Sequence, residues 1–307
     1  MAKDDWNSSE TSYSFGSRCF CADCLEAEYA YDEERRKKNA QMFMDNLREI
    51  NSEFAALYRL NDEILPKLES RDNAIAVYSK KEWVISIVSY AVGCMFGRYT
   101  IYADGLLYAG GPGWHHSLLV EKIQDRLKEQ GKSMFPENGF YPDEDNVIPI
   151  CDDEYFDDDI VGRFVKFIKA VYGSDTLEEN LKFIADALGG KGTPRDVIGK
   201  KNGFKALIYM HRYQPDTIAR IRTDYVHEQQ SRYRTAIADL ESRIAAASTA
   251  ERVKLNKQLK KLQDQDTELR AYEEKIHHLA DQMISIDLDD GVKVNYAKFQ
   301  DVLGKIK

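Results

Sequence analysis

The sequence predicts a mainly α-helical protein with small β-hairpins, in which a helical domain is followed by a long antiparallel helical hairpin. Over most of the 307 residues, apolar side chains recur at three- and four-residue spacing, which is the pattern of amphipathic helices. Two segments, starting at Pro215 and Ser248, have heptad-like apolar spacing and are joined by the short stretch AAAST. The predicted hairpin is a coiled coil whose arms, at about thirty residues each, are ~45 Å long.

The most apolar passage of the chain predicts a central core helix. Ser79 and Glu82 have the spacing of a capping box, and the run from Trp83 to Phe96 is apolar on nearly all sides. At about fourteen residues the run is shorter than the ~20 that cross a membrane. The stretch TIYADGLLYAGG follows and, with a turn at Asp104, predicts a small hairpin or a strand that ends in a glycine loop.

The order of the patterns predicts three segments. Residues 1–24 are polar and turn-prone and form an irregular N-terminal arm. Residues 25–198 form a mostly helical core domain. Residues 199–307 contain a basic segment, the coiled-coil hairpin and a C-terminal β-hairpin around Asp290 and Gly291.

Capping and packing details are also predicted for single helices. The first helix runs from Leu25 to about Leu60. Ser248 and Glu251 form a further capping box at the start of the last long helix. The face of the first helix that packs inward consists of Phe43, Leu47, Ile50, Phe54 and Leu57.

Charge and the N-terminal sequence limit the function classes. The net charge of −9 argues against a uniformly basic nucleic-acid binder but allows a local basic face. No apolar segment begins the chain, so neither a signal peptide nor a membrane anchor is expected, and the expected compartment is the cytoplasm.

Two groups of residues have the chemistry of metal ligands. Cys19, Cys21 and Cys24 are spaced for one zinc ion, but a structural zinc site needs a fourth ligand that the sequence does not supply, so free thiols are expected. Carboxylates are dense between Pro136 and Asp159 and offer metal ligands or acid–base groups. The acids just before Ile160 are instead expected to stabilise a helix N-terminus, so no metal or catalytic residue is predicted.

A basic segment within this acidic chain predicts a nucleic-acid contact. From Gly199 to Pro215 the sequence contains no acid, and aromatic residues alternate with cations, a combination suited to phosphate contact and stacking. The alternative is a solvated edge with no ligand. The residues predicted to contact DNA phosphates are Lys200, Lys201, Lys205, Arg212, Arg220 and Arg222.

Several stretches together resemble a known family. They are SYAVGCMFGRY, GLLYAGG, NVIPICDDEYFDDDIVGRFVKFIKAVYG, DTLEENLKFIADALG, NGFKALIYMHRY and IDLDDGVKVNYAKFQ. They are similar to the C-terminal region of the PglX family, the adenine-specific DNA methyltransferases of bacteriophage exclusion (BREX) defence systems. The resemblance implies methylation of adenine N6 with S-adenosylmethionine by the whole protein.

The sequence also departs from the family's pattern. The (N/D/S)PP(Y/F) loop that holds a flipped adenine needs adjacent prolines, and this chain has none. No glycine-rich S-adenosylmethionine loop follows a first strand, so the chain alone is expected to be non-catalytic and to bind no cofactor. A longer aromatic and basic segment of the family is skipped at Val197 to Gly199.

The resemblance and the basic segment predict a DNA-gripping module in anti-phage defence. The expected partners are double-stranded DNA and a methyltransferase catalytic half or other BREX proteins, with no membrane. In the alternative prediction, the helical hairpin and an acidic surface from Asp143 to Asp159 form a scaffold that docks defence components or a DNA-mimicking inhibitor.

Overall fold

The computed structural model describes residues 15, 20–60, 68–69, 72–107, 115–131, 139–151, 155–189 and 204–304. The described chain is mainly α-helical with a small two-stranded sheet, which confirms the predicted fold class. No described helix is both long and apolar enough to cross a bilayer.

The helices and strands follow one another along the described chain, with short connections between several of them. They are α1 (Leu25–Leu57), α2 (Lys80–Met95), α3 (His116–Glu129), β1 (Ile148–Cys151), α4 (Ile160–Tyr172), α5 (Leu177–Leu188), β2 (Phe204–Leu207), α6 (Thr217–Arg220), a π-helix (Ile221–Val226), α7 (His227–Ala246), α8 (Thr249–Ala280) and α9 (Val292–Ala297). Short 3-10 helices lie at Met210–Arg212 and Leu288–Asp290.

The chain packs as two compact units. Unit 1 contains Met1–Tyr108, Glu121–Phe140 and Lys166–Gly190, and unit 2 contains Ala109–Val120, Tyr141–Val165 and Lys191–Lys307. The predicted boundary at residue 198 separates residues 141–165 from the C-terminal segment. In the structure, residues 141–165 and 191–307 belong to the same unit, and β1 pairs with β2 across the predicted boundary.

Helix α2 is the packing centre of unit 1. The Ser79–Glu82 capping box is present, with both reciprocal bonds. Trp83, Ile87 and Tyr90 are buried, as the apolar run predicts. The prediction of a hairpin after α2 is wrong for the described residues up to Leu107, which form bends and turns without a strand. Residues 108–114 lie outside the described part of the chain.

Helix α1 forms as predicted but buries a different face. Ile50, Phe54 and Leu57 are exposed, and Leu57 retains 74% of its accessible surface. The buried positions include Arg36, Ala40 and Met44, which follow one another at four-residue spacing. The predicted face was wrong because it was chosen from the spacing of apolar residues alone. Which face of α1 is buried depends on where the neighbouring elements lie.

Unit 2 is built around a short antiparallel sheet and a long helix pair. All four residues of β1 are buried, and Ile148 is paired with Leu207 in the register of the two strands. Helices α7 and α8 are separated only by Ala247 and Ser248, so α8 runs back along α7, as predicted. Tyr233, Leu269 and Ile276 are buried in the apolar cluster that the pair shares with the sheet.

Both ends of the long hairpin differ in detail from the prediction. The first arm is not one α-helix, because a π-helix at Ile221–Val226 interrupts it. At the turn, Ser248 makes no capping bond to the helix backbone, so the prediction of a capping box at Ser248 and Glu251 is wrong. The Ser248 hydroxyl instead donates to a carboxylate oxygen of Glu251 at 3.3 Å.

The predicted C-terminal β-hairpin is also wrong, because the segment folds into a 3-10 turn and α9. The side chain of Asp287 accepts a hydrogen bond from the backbone N–H of Asp289 at 2.9 Å, which closes the turn. Asn295 is fully buried and donates to the carbonyl oxygens of Asp287 and Gly291. These polar contacts favour a helical start over strand pairing.

Candidate nucleic-acid interface

Two of the predicted phosphate-contacting residues are buried and hold the fold together. Arg212 is 2% exposed, and its Nη2 donates to the carbonyl oxygens of Asp143 at 2.8 Å and Glu144 at 3.1 Å. Lys205 is 8% exposed, and its Nζ donates to the carbonyl oxygen of Asp301 at 2.7 Å. In this conformation neither charged group faces the solvent.

Two further predicted residues lie two positions apart in sequence and are partly exposed. The side chain of Arg220 is 38% exposed, and its Nη2 lies 3.9 Å from Oδ2 of Asp145. The side chain of Arg222 is 24% exposed, and its Nε donates to Oε1 of Glu273 at 2.8 Å. A phosphate that bound either arginine would compete with its acidic partner.

The remaining two residues, Lys200 and Lys201, lie outside the described residues. The structure therefore leaves Arg220 and Arg222 partly exposed but does not place Lys205 and Arg212 on a surface beside them. Cys19 also lies outside the described residues, and Cys21 and Cys24 are free thiols.

A cluster of three carboxylates lies next to Arg220. Oxygens of Asp143, Asp145 and Asp158 lie within 4.8 Å of one another. The first two are positioned by a turn in which the backbone N–H of Val147 donates to both side chains, at 3.2 Å and 2.8 Å. Asn146 within this turn has a positive φ of 68°, a conformation that asparagine tolerates better than most residues.

Tyr225 on the π-helix reaches into this carboxylate cluster. Its hydroxyl oxygen lies 2.6 Å from Oδ2 of Asp158 and 2.8 Å from Oδ2 of Asp145. Because a phenol carries a single proton, both contacts are hydrogen bonds only when one carboxyl is itself protonated. The π-helix matters here because its extra residue per turn changes the direction of the side chains that follow.

Burial is the main reason that the pKa values of two of these carboxyls, Asp143 and Asp158, are raised. Burial, together with the neighbouring Asp145 carboxyl, raises the pKa of Asp143 to about 8 although Arg163 opposes the shift. Nη1 of Arg163 lies 3.6 Å from Oδ1 of Asp143. Burial also raises the pKa of Asp158. Three oxygen donors of this kind can share a proton or supply ligands to a hard divalent cation.

The cluster corrects two predictions. Asp143 is 3% exposed, so the predicted acidic surface from Asp143 to Asp159 is interrupted by a buried group. Of the acids before α4, Asp159 caps the helix by accepting from the backbone N–H of Gly162, whereas Asp158 points to Tyr225. Sequence spacing could not reveal the cluster because Asp145 and Tyr225 are 80 residues apart.

Comparison with known proteins shows which proteins the chain is similar to. No protein-family model matches this sequence. The sequence is 34% identical over 339 residues to adenine-specific methyltransferase PglX of Lacticaseibacillus casei (strain Zhang), which covers 97% of this chain and 27% of that protein. It is 31% identical over 367 residues to adenine-specific methyltransferase BrxX of Escherichia coli O9:H4 (strain HS), covering 100% and 29%.

Over nearly its whole length, the chain is homologous to part of PglX and to part of BrxX. It spans less than a third of the length of these two relatives, as the coverage shows. The alignment is consistent with the C-terminal region that the sequence resemblance predicts. The names of these two relatives describe the full-length proteins as adenine-specific methyltransferases.

The raised pKa of Asp143 gives the chain a testable pH dependence. Asp143 has a folded pKa of about 8 against an ordinary value of 3.8, so between these values the folded state binds a proton that the unfolded state lacks. Stability therefore falls as pH rises through this window and levels off above it. Asp143→Asn removes the titration, and we expect it to raise the unfolding free energy at pH 8 by about 1–3 kcal/mol relative to wild type.

Denaturant titrations at a series of pH values measure this effect. Wild type should lose stability between about pH 4 and pH 8, and Asp143→Asn should flatten that slope. Asp125→Asn, at an exposed position of α3, is the control and should leave the slope unchanged. A wild-type slope that persists in Asp143→Asn would contradict the assignment.

Proposed function

We propose that the chain is the non-catalytic C-terminal DNA-gripping module of a BREX-type N6-adenine DNA methyltransferase in anti-phage defence. One observation carries this proposal. Nearly the whole chain aligns with less than a third of the length of each of two proteins that are named adenine-specific methyltransferases. The chain has no adjacent prolines with which to form the adenine-holding loop. Catalysis and S-adenosylmethionine binding therefore belong to a separate part of the methyltransferase.

Duplex DNA is the proposed ligand, and its phosphates are the proposed contacts. Of the six basic residues predicted from the sequence, the proposed phosphate contacts are Lys200, Lys201, Arg220 and Arg222. Arg220 and Arg222 are partly exposed and close in sequence, whereas Lys205 and Arg212 are buried. Lys200 and Lys201 rest on the sequence alone. The module acts in the cytoplasm beside the catalytic half or other BREX proteins.

Titration of the chain with duplex DNA at several salt concentrations tests the proposal. Counterion release lowers the logarithm of the binding constant by ~0.9 per phosphate contact for each tenfold rise in salt. We expect measurable binding with a negative salt slope. Absence of binding, or binding that does not depend on salt, would contradict DNA gripping. Mixing the chain with a separately produced catalytic half should increase methylation.

A protein-interaction scaffold is the alternative, favoured by the net charge of −9 and the long helix pair. Charge reversal at Lys200 and Lys201 separates the two functions. A DNA-gripping module should lose affinity for the duplex, whereas a scaffold should still capture its protein partner through the hairpin. If the charge-reversed chain no longer binds DNA but still increases methylation by the catalytic half, the scaffold is favoured.

A further inference from the structure

The half of α8 nearest the hairpin turn carries a concentration of positive charge. From Thr249 to Gln263 the sequence contains five basic residues and one acid, Glu251, although the protein as a whole is acidic. Four of the basic side chains are exposed and line a shallow surface depression, and we call them the lysine face. They are Lys254, Lys257, Lys260 and Lys261.

The lysine face points away from the apolar seam of the hairpin. Leu255 is buried and Leu262 is half-buried against the rest of unit 2, and the four lysines occupy the other sides of the helix. An ammonium group on a four-carbon stem is a strongly hydrated point charge, so these groups reach into solvent. Their exposure makes them accessible to a large anionic ligand.

None of the four lysines forms an ion pair within the described residues. Two acids, Asp264 and Glu268, border the same depression. Lys257 is three or four residues from each of the other lysines, where like charges are neighbours on a helix and repel one another. The repulsion among the four lysines therefore disfavours helix formation.

We propose that the lysine face binds the phosphate backbone of duplex DNA as a second contact surface, separate from Arg220 and Arg222. This inference rests on the proposed function and names a surface that the basic segment does not include. From Lys254 to Lys261 the helix advances ~10.5 Å, at 1.5 Å per residue. One DNA strand carries a phosphate every ~3.4 Å of helix axis, so the face spans about three phosphates.

The lysine face and the acidic partner of Arg222 lie at different places on α8. That partner, Glu273, is about 18–28 Å along the helix from the lysine face. It lies about five helical turns after the buried Leu255 and therefore on the side of α8 opposite the lysines, so the lysine face is a separate contact surface. Lysine contacts to phosphate carry no base information, so this surface contributes affinity and orientation without sequence preference.

A lysine-to-glutamine variant at all four positions tests the inference by DNA titration. We expect the binding constant to fall ~10-fold or more near ~0.1 M salt. The salt slope should become shallower by ~0.9 for each lysine that contacts a phosphate. The loss should be similar for unrelated duplex sequences. Thermal unfolding should show equal or higher stability, because the repulsion within the helix is removed.

A matched variant controls for net charge. Lys38, Lys81, Lys128 and Lys169 are exposed positions on helices of unit 1, and their replacement by glutamine changes the charge equally. The salt slope of this control should stay close to wild type. Lysine-to-arginine substitution of the lysine face keeps the charges and should retain binding, which separates charge from any folding defect.

The outcomes separate the inference from the proposed function. If wild type binds duplex DNA and the lysine-face variant binds it equally well, the inference fails and the proposed function stands. Equal losses in the lysine-face variant and the control also overturn the inference, because net charge alone would explain them. If only capture of an acidic protein is lost, the ligand class is wrong. If wild type does not bind DNA, both proposals fail.

Discussion

Replacing Trp83 with alanine is expected to lower the unfolding free energy of unit 1 by about 3–5 kcal/mol. Trp83 is one of the largest fully enclosed side chains of the protein, at 2% exposure. Its ring packs edge-on against Tyr29 and Phe183, with centroid distances of 5.5 Å and 6.4 Å. Its Nε1 donates to a carboxylate oxygen of Asp32 at 3.2 Å. Truncation leaves a cavity and removes this bond.

Denaturant unfolding of Trp83→Ala measures the effect. Tyr31→Ala is the control, since Tyr31 is an exposed aromatic residue of α1, and its change should stay within about 0.5 kcal/mol. Trp83→Phe keeps most of the ring and loses the Asp32 bond, so it should fall between the two. A Trp83→Ala variant as stable as Tyr31→Ala would show that α2 is not the packing centre.

Arg212→Ala is expected to destabilise unit 2 by about 2–4 kcal/mol while leaving the salt slope of DNA binding unchanged. The buried guanidinium bridges the carbonyl oxygens of Asp143 and Glu144, so its removal leaves the buried carbonyl of Asp143 without this donor. The same turn positions the carboxylate cluster. The expected result is loss of stability rather than loss of a phosphate contact.

Thermal unfolding and DNA titration of the same Arg212→Ala preparation separate the two roles, with binding measured well below its melting temperature. Arg48→Ala, at an exposed position of α1, controls for the loss of one arginine and should change stability little. A stable Arg212→Ala protein whose salt slope falls by ~0.9 would restore Arg212 as a phosphate contact and contradict the structural role.

Local signals explain which elements the sequence could predict. The Ser79–Glu82 capping box and the apolar run after it define α2 because both depend on residues only a few positions apart. The pairing of α7 with α8 follows from two local features. Apolar residues recur at heptad-like spacing in both helices, and the short connection between them makes the chain reverse its direction. The prediction of a C-terminal β-hairpin was wrong because the hydrogen bonds of the buried Asn295 side chain outweigh the alternation of apolar and polar residues.

The candidate surfaces were predicted less well, for the same physical reason. From the sequence, Lys205 and Arg212 are simply two positively charged residues. Only the fold shows that their side chains donate hydrogen bonds to backbone carbonyl oxygens. The lysine face is visible in the sequence as a charge cluster, but its exposure and lack of acidic partners among the described residues depend on which side of α8 packs inward.

By itself the sequence determined the helical class, the central helix and the long helix pair, because these follow from periodicity and capping within short stretches. The likeness to the PglX/BrxX family was also contained in it. Only the tertiary structure decided which charges are buried. It brought Asp143, Asp145 and Asp158 around Tyr225 and left the lysines of α8 in solvent, since burial depends on contacts between residues far apart in the chain.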